Sequence, residues 1–446
     1  MSNEGSPPER RQLLKGIAAG GTALLAGCSG GGNQDGGTTT TTTGDGNGGG
    51  NGGKTTSIKY IYPGYFSADA KDLLPMFNEQ SDSVELTSQK TPAESASTRK
   101  YYVNQFISQS SAFDAGNMDV VWPAEFAKNG WAAEMNDPEG RTDEMLKTPV
   151  DSVTIDGTLY GMPIHTDANA LYYRTDLLED AGFDEPPTTY MELVNMAQKV
   201  KNNSDEDLNG YIWQGGANEG LTIMWLNWLW GMGGGVRKNG KLKVNTQKGV
   251  DALSHAVDLI YEHQVTPESV PSSSTDQNRK TFQQGNTVFM RNWPYAYALM
   301  NEDGSPVKDK FAVAPMPKAE GNSDANNSCL GGWNIFVNSY SKNKQAAQQF
   351  ANFMASKEAQ KNMALEHSRL PVLTELYQDE FLDQAEHLKV FKNIVEQTSA
   401  RPATPKYSTF SNIVFTECNK ALVQSKSPKK ALDDAQSKIN SQVNNA

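Results

Sequence analysis

Cysteine is nearly absent, with three residues in 446, which excludes the dense disulfide framework of small secreted domains. Histidine is almost as sparse. The five, His165, His255, His263, His367 and His387, show no tight metal-ligand spacing and no HExxH zinc motif. His255 and His263 share a helical stretch and read as surface residues. Basic charge is in the minority, Lys+Arg 40 against Asp+Glu 52, a formal net charge of -12. A nucleic-acid binder would need a dominant basic face, and this balance gives it none. It argues equally against an anionic solute as the main ligand. The hydrophobic fraction is 37%, too low for a polytopic membrane protein built from apolar spans of about 20 residues. What remains is a chain long enough for two or three domains with an ample core.

The N-terminus reads as an address rather than as fold. Arg10-Arg11-Gln12-Leu13-Leu14-Lys15 is a twin-arginine pattern, and the apolar run Gly16 to Gly27 follows it. Leu25-Ala26-Gly27-Cys28 has the small residues of a lipobox ahead of its cysteine, so residues 1–28 are expected to be an export signal with lipidation at Cys28. Residues 29–56 are almost entirely Gly, Thr, Asn, Asp and Ser. Such a composition buries too little surface to offset chain entropy and predicts a disordered tether. Together these features predict a body held at the outer face of the cell membrane through a lipid anchor.

From Ser57 onward, strand and helix signals alternate. Ser57 to Tyr62 and Val84 to Leu86 read as strands, Asp69 to Phe77 and Arg99 to Ser108 as helices, and Met118 to Trp122 as a buried strand. Thr189 and Glu192 stand at capping-box spacing ahead of Leu193, Val194, Ala197 and Val200, which repeat with helical period. One long helix is predicted over Ser341 to Met363, and another from Ser427-Pro428. Alternation of this kind points to an α/β fold. Cys329 and Cys418 either pair, which would contribute about 4 kcal/mol, or lie apart as buried thiols.

Chemistry-bearing signals are few. Asp205, Asp207, Asn209 and Gly210 match the first half of a calcium loop, but its twelfth position is Gly216 where a bidentate Glu is required. Calcium is therefore a weak candidate, against a plain turn before a strand at Tyr211 to Trp213, and no other cofactor is expected. The carboxylate pairs Asp119 with Glu125 and Asp167 with Glu219 keep a secreted glycosidase in view. Tryptophan is more telling. Trp293 and Trp333 sit beside Pro294 and Gly331-Gly332, as loops facing a cleft would place flat rings for stacking. Trp225, Trp228 and Trp230 have the spacing of a helix core.

Several blocks resemble the sugar-binding proteins of ABC importers, the archaeal trehalose/maltose-binding proteins most closely. They are Met118 to Phe126, Leu159-Tyr160-Gly161-Met162-Pro163, Leu171-Tyr172-Tyr173-Arg174, Phe282 to Asn286, Arg291 to Tyr295, Leu330 to Trp333 and Arg401-Pro402. The resemblance implies a two-lobed periplasmic-binding-protein fold of class II type, with hinge-connected lobes around a central ligand cleft. One lobe would comprise 57–165 and 316–369, the other 166–315 and 370–446. By position, Arg99, Asp119 and Asp167 would bond sugar hydroxyls, Trp293 and Tyr295 would form an aromatic platform, and Gly332 and Trp333 would close the site, with Arg401 nearby. His165 stands where an aromatic is usual, and the arginine in His367-Ser368-Arg369-Leu370-Pro371 matches the family loosely. The implied activity is capture of a di- or oligosaccharide by a monomer that delivers it to ABC transporter permease subunits, without catalysis. The alternatives are a glycosidase and a binder of a non-sugar solute such as glycerol phosphate.

Overall fold

The computed structural model describes residues 55–445; the twin-arginine segment, Cys28 and nearly all of the tether lie outside them. The body is built on two sheets. In the first, Thr56–Pro63 pairs in parallel with Val84–Thr91 on one side and with the strand Ala115–Asp119 on the other. The ten-residue strand Ser328–Val337 then runs antiparallel to Ala115–Asp119 and also to Met162–Ala168. Both of the latter strands are buried along their whole length, as expected of strands covered on two faces. The helices Ser67–Gln80 and Ser95–Ile107 turn Leu73 and Phe77, and Tyr102 and Phe106, into this core.

The second sheet has four strands. Ala170–Arg174 lies between Phe311–Ala314 and Thr287–Asn292, antiparallel to both, and Asn209–Ile212 adds in parallel beyond. Helix Tyr190–Asn203 covers it, opened by the expected capping box: Thr189 accepts from the Glu192 amide while the Glu192 carboxylate accepts from the Thr189 amide. The apolar helix Glu219–Gly231 is buried on nearly every side, and Trp225 and Trp228 are core. The Trp225 indole donates to the Gly249 carbonyl at 3.0 Å, and Trp228 meets Trp213 edge-on at 4.9 Å.

The chain passes between the sheets three times. Asn169 separates Met162–Ala168 from Ala170–Arg174, and its carbonyl accepts the Ser328 hydroxyl at 2.8 Å. Residues 315–327 lead back to Ser328–Val337. The third passage falls later than the resemblance implies. Leu370 pairs with Thr166, Val372 accepts from the Leu146 amide, and Thr374 donates to Glu144. Residues 370–374 thus stay with the first lobe. Helix Glu386–Glu396 already touches the second lobe, His387 stacking on Tyr297 at 5.2 Å, and Tyr407–Leu422 then packs on Glu219–Gly231.

Two further expectations change. The long helix over 341–363 is two, Lys344–Met354 and Lys357–His367, because Ser356 takes an extended conformation and caps the second by accepting from the Ala359 amide. His255 is not a surface residue: it stacks on Tyr190 at 4.7 Å and meets Trp228 edge-on. In the half calcium loop, Asp205 and Asp207 are exposed, while Asn209 opens a strand and turns its amide toward Asn286 and Thr287. A Cβ at Gly210 would lie 2.7 Å from the Val265 carbonyl, so close packing explains that glycine. Cys329 and Cys418 are separate, buried thiols. Among the described residues no helix is long and apolar enough to cross a membrane, and no three His, Cys, Asp or Glu side chains gather as a metal site.

Candidate functional site

Parallel strands that end together leave a crevice at their carboxyl ends, where ligands of α/β proteins bind. Here Tyr65 follows the first strand, Glu94 and Ser95 the second, and Asp119 ends the third; Trp293 and Tyr295 follow Thr287–Asn292 of the opposite sheet. All line one cavity of about 130 Å³ between the lobes, together with Asp167, Glu219, Thr275, Asp276, Gly331 to Trp333, Arg369 and Arg401.

The aromatic wall is held from behind. The Trp293 amide donates to Asn292 Oδ1 and the Tyr172 hydroxyl donates to the Trp293 carbonyl, each at 2.8 Å. The buried Arg291 guanidinium lies 4.2 Å from the centre of the Trp293 ring, an attractive cation–π arrangement. Opposite, Trp333 packs edge-on against Trp122 and at 5.4 Å from Tyr65. Glycine is obligatory between these walls. A Cβ at Gly331 would come within 2.9 Å of both the Trp293 ring and Asp167, and Gly332 has φ +133° with the His165 carbonyl 2.8 Å from its would-be Cβ.

Charge enters through a few fixed groups. Asp119 accepts from Ser95 at 2.8 Å and from Arg401 at 3.0 Å, and Arg401 reaches across to Glu219 at 2.9 Å. One buried guanidinium thus ties a first-lobe carboxylate to a second-lobe one. Burial works against its charge, yet Asp119 foremost holds Arg401 protonated well above the ordinary range. Glu219 also accepts from the Tyr407 and Ser411 hydroxyls; burial nonetheless raises its carboxyl above the usual range. Arg369 forks onto Asp69 at 2.7 and 2.8 Å and lies 5.3 Å from the Tyr65 ring and 5.7 Å from that of Tyr295.

Asp167 is different. It is 7% exposed, has no basic partner in contact among the described residues except the His165 ring at 3.6 Å, and burial pushes its carboxyl up to about 7. His165 itself stacks on Phe66 behind the wall, and burial pushes its imidazole well below the usual range, so it is neutral. Asp167 Oδ1, the Tyr65 hydroxyl and Arg401 Nε are buried without a hydrogen-bond partner among the described residues. Unpaired buried polar atoms are costly; in a cleft they are acceptors and donors waiting for a ligand.

Of the residues expected at the site, Asp119, Asp167, Trp293, Tyr295, Gly332, Trp333 and Arg401 line the cavity. Arg99 does not. It forks onto Glu125 and faces a neighbouring cavity with Trp122 and Tyr407, so its charge is committed away from the main cleft. Sequence reasoning did not assign Tyr65, Glu94 or Asp276, and set Arg369 aside although the structure places it squarely in the wall. Of the two carboxylate pairs, Asp119 and Glu125 are separated by this arrangement, whereas Asp167 and Glu219 share the cavity. Both Glu219 oxygens are occupied by Arg401, Tyr407 and Ser411, which suits a fixed acceptor better than a nucleophile.

The comparisons agree with this architecture. Residues 66–361 match the family described as bacterial extracellular solute-binding protein. A probable ABC transporter-binding protein of Deinococcus radiodurans is 35% identical over 352 residues, covering 77% of this chain and 83% of that protein. The maltose-bound MalE3 of T. maritima superposes with TM-score 0.81 at 33% identity, over 87% of this chain and all of its own. The maltodextrin-binding protein MdxE of Bacillus subtilis is 23% identical across 65% of this chain and 70% of its own.

Proposed function

The chain belongs to the bacterial extracellular solute-binding protein family, and from that premise we propose that it captures a sugar of the maltose or trehalose kind and hands it to an ABC importer. The observation that carries this reading is the composition of the cleft: aromatic rings on both walls, carboxylates and guanidiniums at the edges, and glycines that let the walls approach. A sugar offers apolar ring faces and a rim of hydroxyls, and such a site meets both demands. Asp119 and Asp167 accept hydroxyl hydrogens, while Arg401 Nε and the Tyr65 hydroxyl donate. The maltose and maltodextrin ligands of the relatives favour an α-linked glucoside.

A ligand that touches both lobes favours the closed state over the open one, and closure is the signal a permease can read. Arg401 is placed to sense it, since its two partners belong to different lobes. The protein acts as a monomer outside the cell, exported by the twin-arginine route and held by a lipid on Cys28, with residues 29–56 as its tether. It binds and does not catalyse. A glycerol phosphate ligand would need a free cation at the site, and both wall guanidiniums are already forked or bridged onto carboxylates. Calorimetric titration with maltose, trehalose, mannitol and glycerol 3-phosphate tests the reading. Saturable binding of a neutral sugar is expected; binding of the phosphate ester alone would refute it.

A further inference from the structure

The cleft carries more negative charge than a neutral sugar requires. Five carboxylates line it, Glu94, Asp119, Asp167, Glu219 and Asp276, against two guanidiniums. Arg369 is neutralised by Asp69 from outside the cavity, and Arg401 is shared by Asp119 and Glu219. Asp276 has Arg279 and Lys280 on its own helix. Glu94 and Asp167 have no Lys or Arg partner in contact among the described residues, and Glu94 of the first lobe faces the same cavity as Asp276 of the second. Burial, reinforced by the field of Asp276, pushes the Glu94 carboxyl up.

An independent observation points to what fills this place. Asp167 is 7% exposed, and its Oδ1 lacks any partner among the described residues, as does the neighbouring Tyr65 hydroxyl. A neutral hydroxyl can satisfy one such acceptor but leaves the excess charge in place. An ammonium group supplies three N–H donors and a positive charge.

Resting on the sugar-binding reading above, we propose that the cleft selects sugars bearing a protonated amine, whose ammonium donates to Asp167 Oδ1 and the Tyr65 hydroxyl under the field of Glu94 and Asp276. The Asp167 carboxyl must be ionised to hold it. Around that group stand Arg369 and Arg291, which favour its charge, Asp119 and Asp69, which oppose it, and the neutral His165. For a 6-amino-6-deoxy sugar, whose primary amine keeps its proton through this range, binding therefore strengthens as pH rises through about 7, whereas a neutral sugar gains nothing comparable; a 2-amino group loses its own proton near pH 8 and gains less.

The test is calorimetric titration of the full chain at pH 6 and pH 8 with glucose, glucosamine, trehalose, and the 2-amino-2-deoxy and 6-amino-6-deoxy forms of trehalose. The 6-amino-6-deoxy form is expected to bind tenfold or more tightly than its parent at pH 8, with a smaller ratio at pH 6. Glu94→Gln should cut that ratio severalfold, and Asp276→Asn should do likewise. The proposal is overturned if every parent sugar binds as well as its aminated forms. It is equally overturned if the ratio is the same at both pH values and in both variants. Binding of neutral sugars without an amine preference leaves the sugar-binding reading intact and removes this inference alone; no binding of any of these sugars removes both.

Discussion

Replacing Arg401 by methionine should damage ligand binding far more than folding. Its guanidinium bonds Asp119 at 3.0 Å and Glu219 at 2.9 Å, and its side chain is 3% exposed. Methionine fills similar space but leaves two carboxylates, one from each lobe, facing each other without a cation. Removing one partner from a buried ion pair costs about 3–5 kcal/mol. When the lobes part, water can reach both carboxylates, so most of that cost falls on the closed state alone. At about 1.4 kcal/mol per tenfold, affinity for the sugar should fall by roughly two to three orders of magnitude. Unfolding by urea should shift by much less than the full cost. Adding Glu219→Gln to Arg401→Met should recover part of the affinity, because only one buried charge then remains. An affinity within threefold of the parent, with no recovery in the double variant, would refute the idea that this arginine ties the lobes together.

Gly332→Ala should lower stability by about 1–3 kcal/mol, since φ is +133° and the new Cβ meets the His165 carbonyl; an unchanged thermal midpoint would contradict this. Asp167 holds its proton up to about 7 in the folded protein and only to about 4 when unfolded. Between those values the folded state binds more protons, so this residue's contribution to stability falls as pH rises from about 4 to about 7 and then levels off. Urea titrations of Asp167→Asn against the parent should show that slope disappear and the variant more stable at pH 8. Reductant should leave the melting temperature unchanged, because Cys329 and Cys418 are separate; burial pushes the Cys329 thiol up to about 11, so iodoacetamide should modify it only after denaturation.

Much of the fold is legible in local pattern. The capping box at Thr189 and Glu192 marks a helix because both reciprocal bonds lie within four residues, and the alternation from Ser57 marks α/β layers. The helix break at Ser356 is harder to read, since the apolar period of Phe350, Phe353 and Met354 runs up to it and only one serine signals the cap. The site divides in the same way. Trp293 and Trp333 stand beside Pro and Gly, a visible sign of loops at a cleft. Glu94, Asp276 and Tyr65 carry no such mark; they are ordinary polar residues until two sheets place three strand ends and a helix start together. Arg369 lies 300 residues from the Asp69 that orients it, and no local pattern can announce a pair at that separation. Arg99 misled because its place in the chain fits a ligand contact, while Glu125, one helix away, claims its guanidinium.

The most direct test of the account is the change in intrinsic tryptophan fluorescence on titration with maltose and trehalose, comparing the parent with Trp293→Ala and Asp119→Ala. A saturable change in the parent, lost in both variants while their circular dichroism stays native, is the predicted result. A parent signal that persists undiminished in Trp293→Ala and Asp119→Ala would place the sugar elsewhere and contradict the cleft described above.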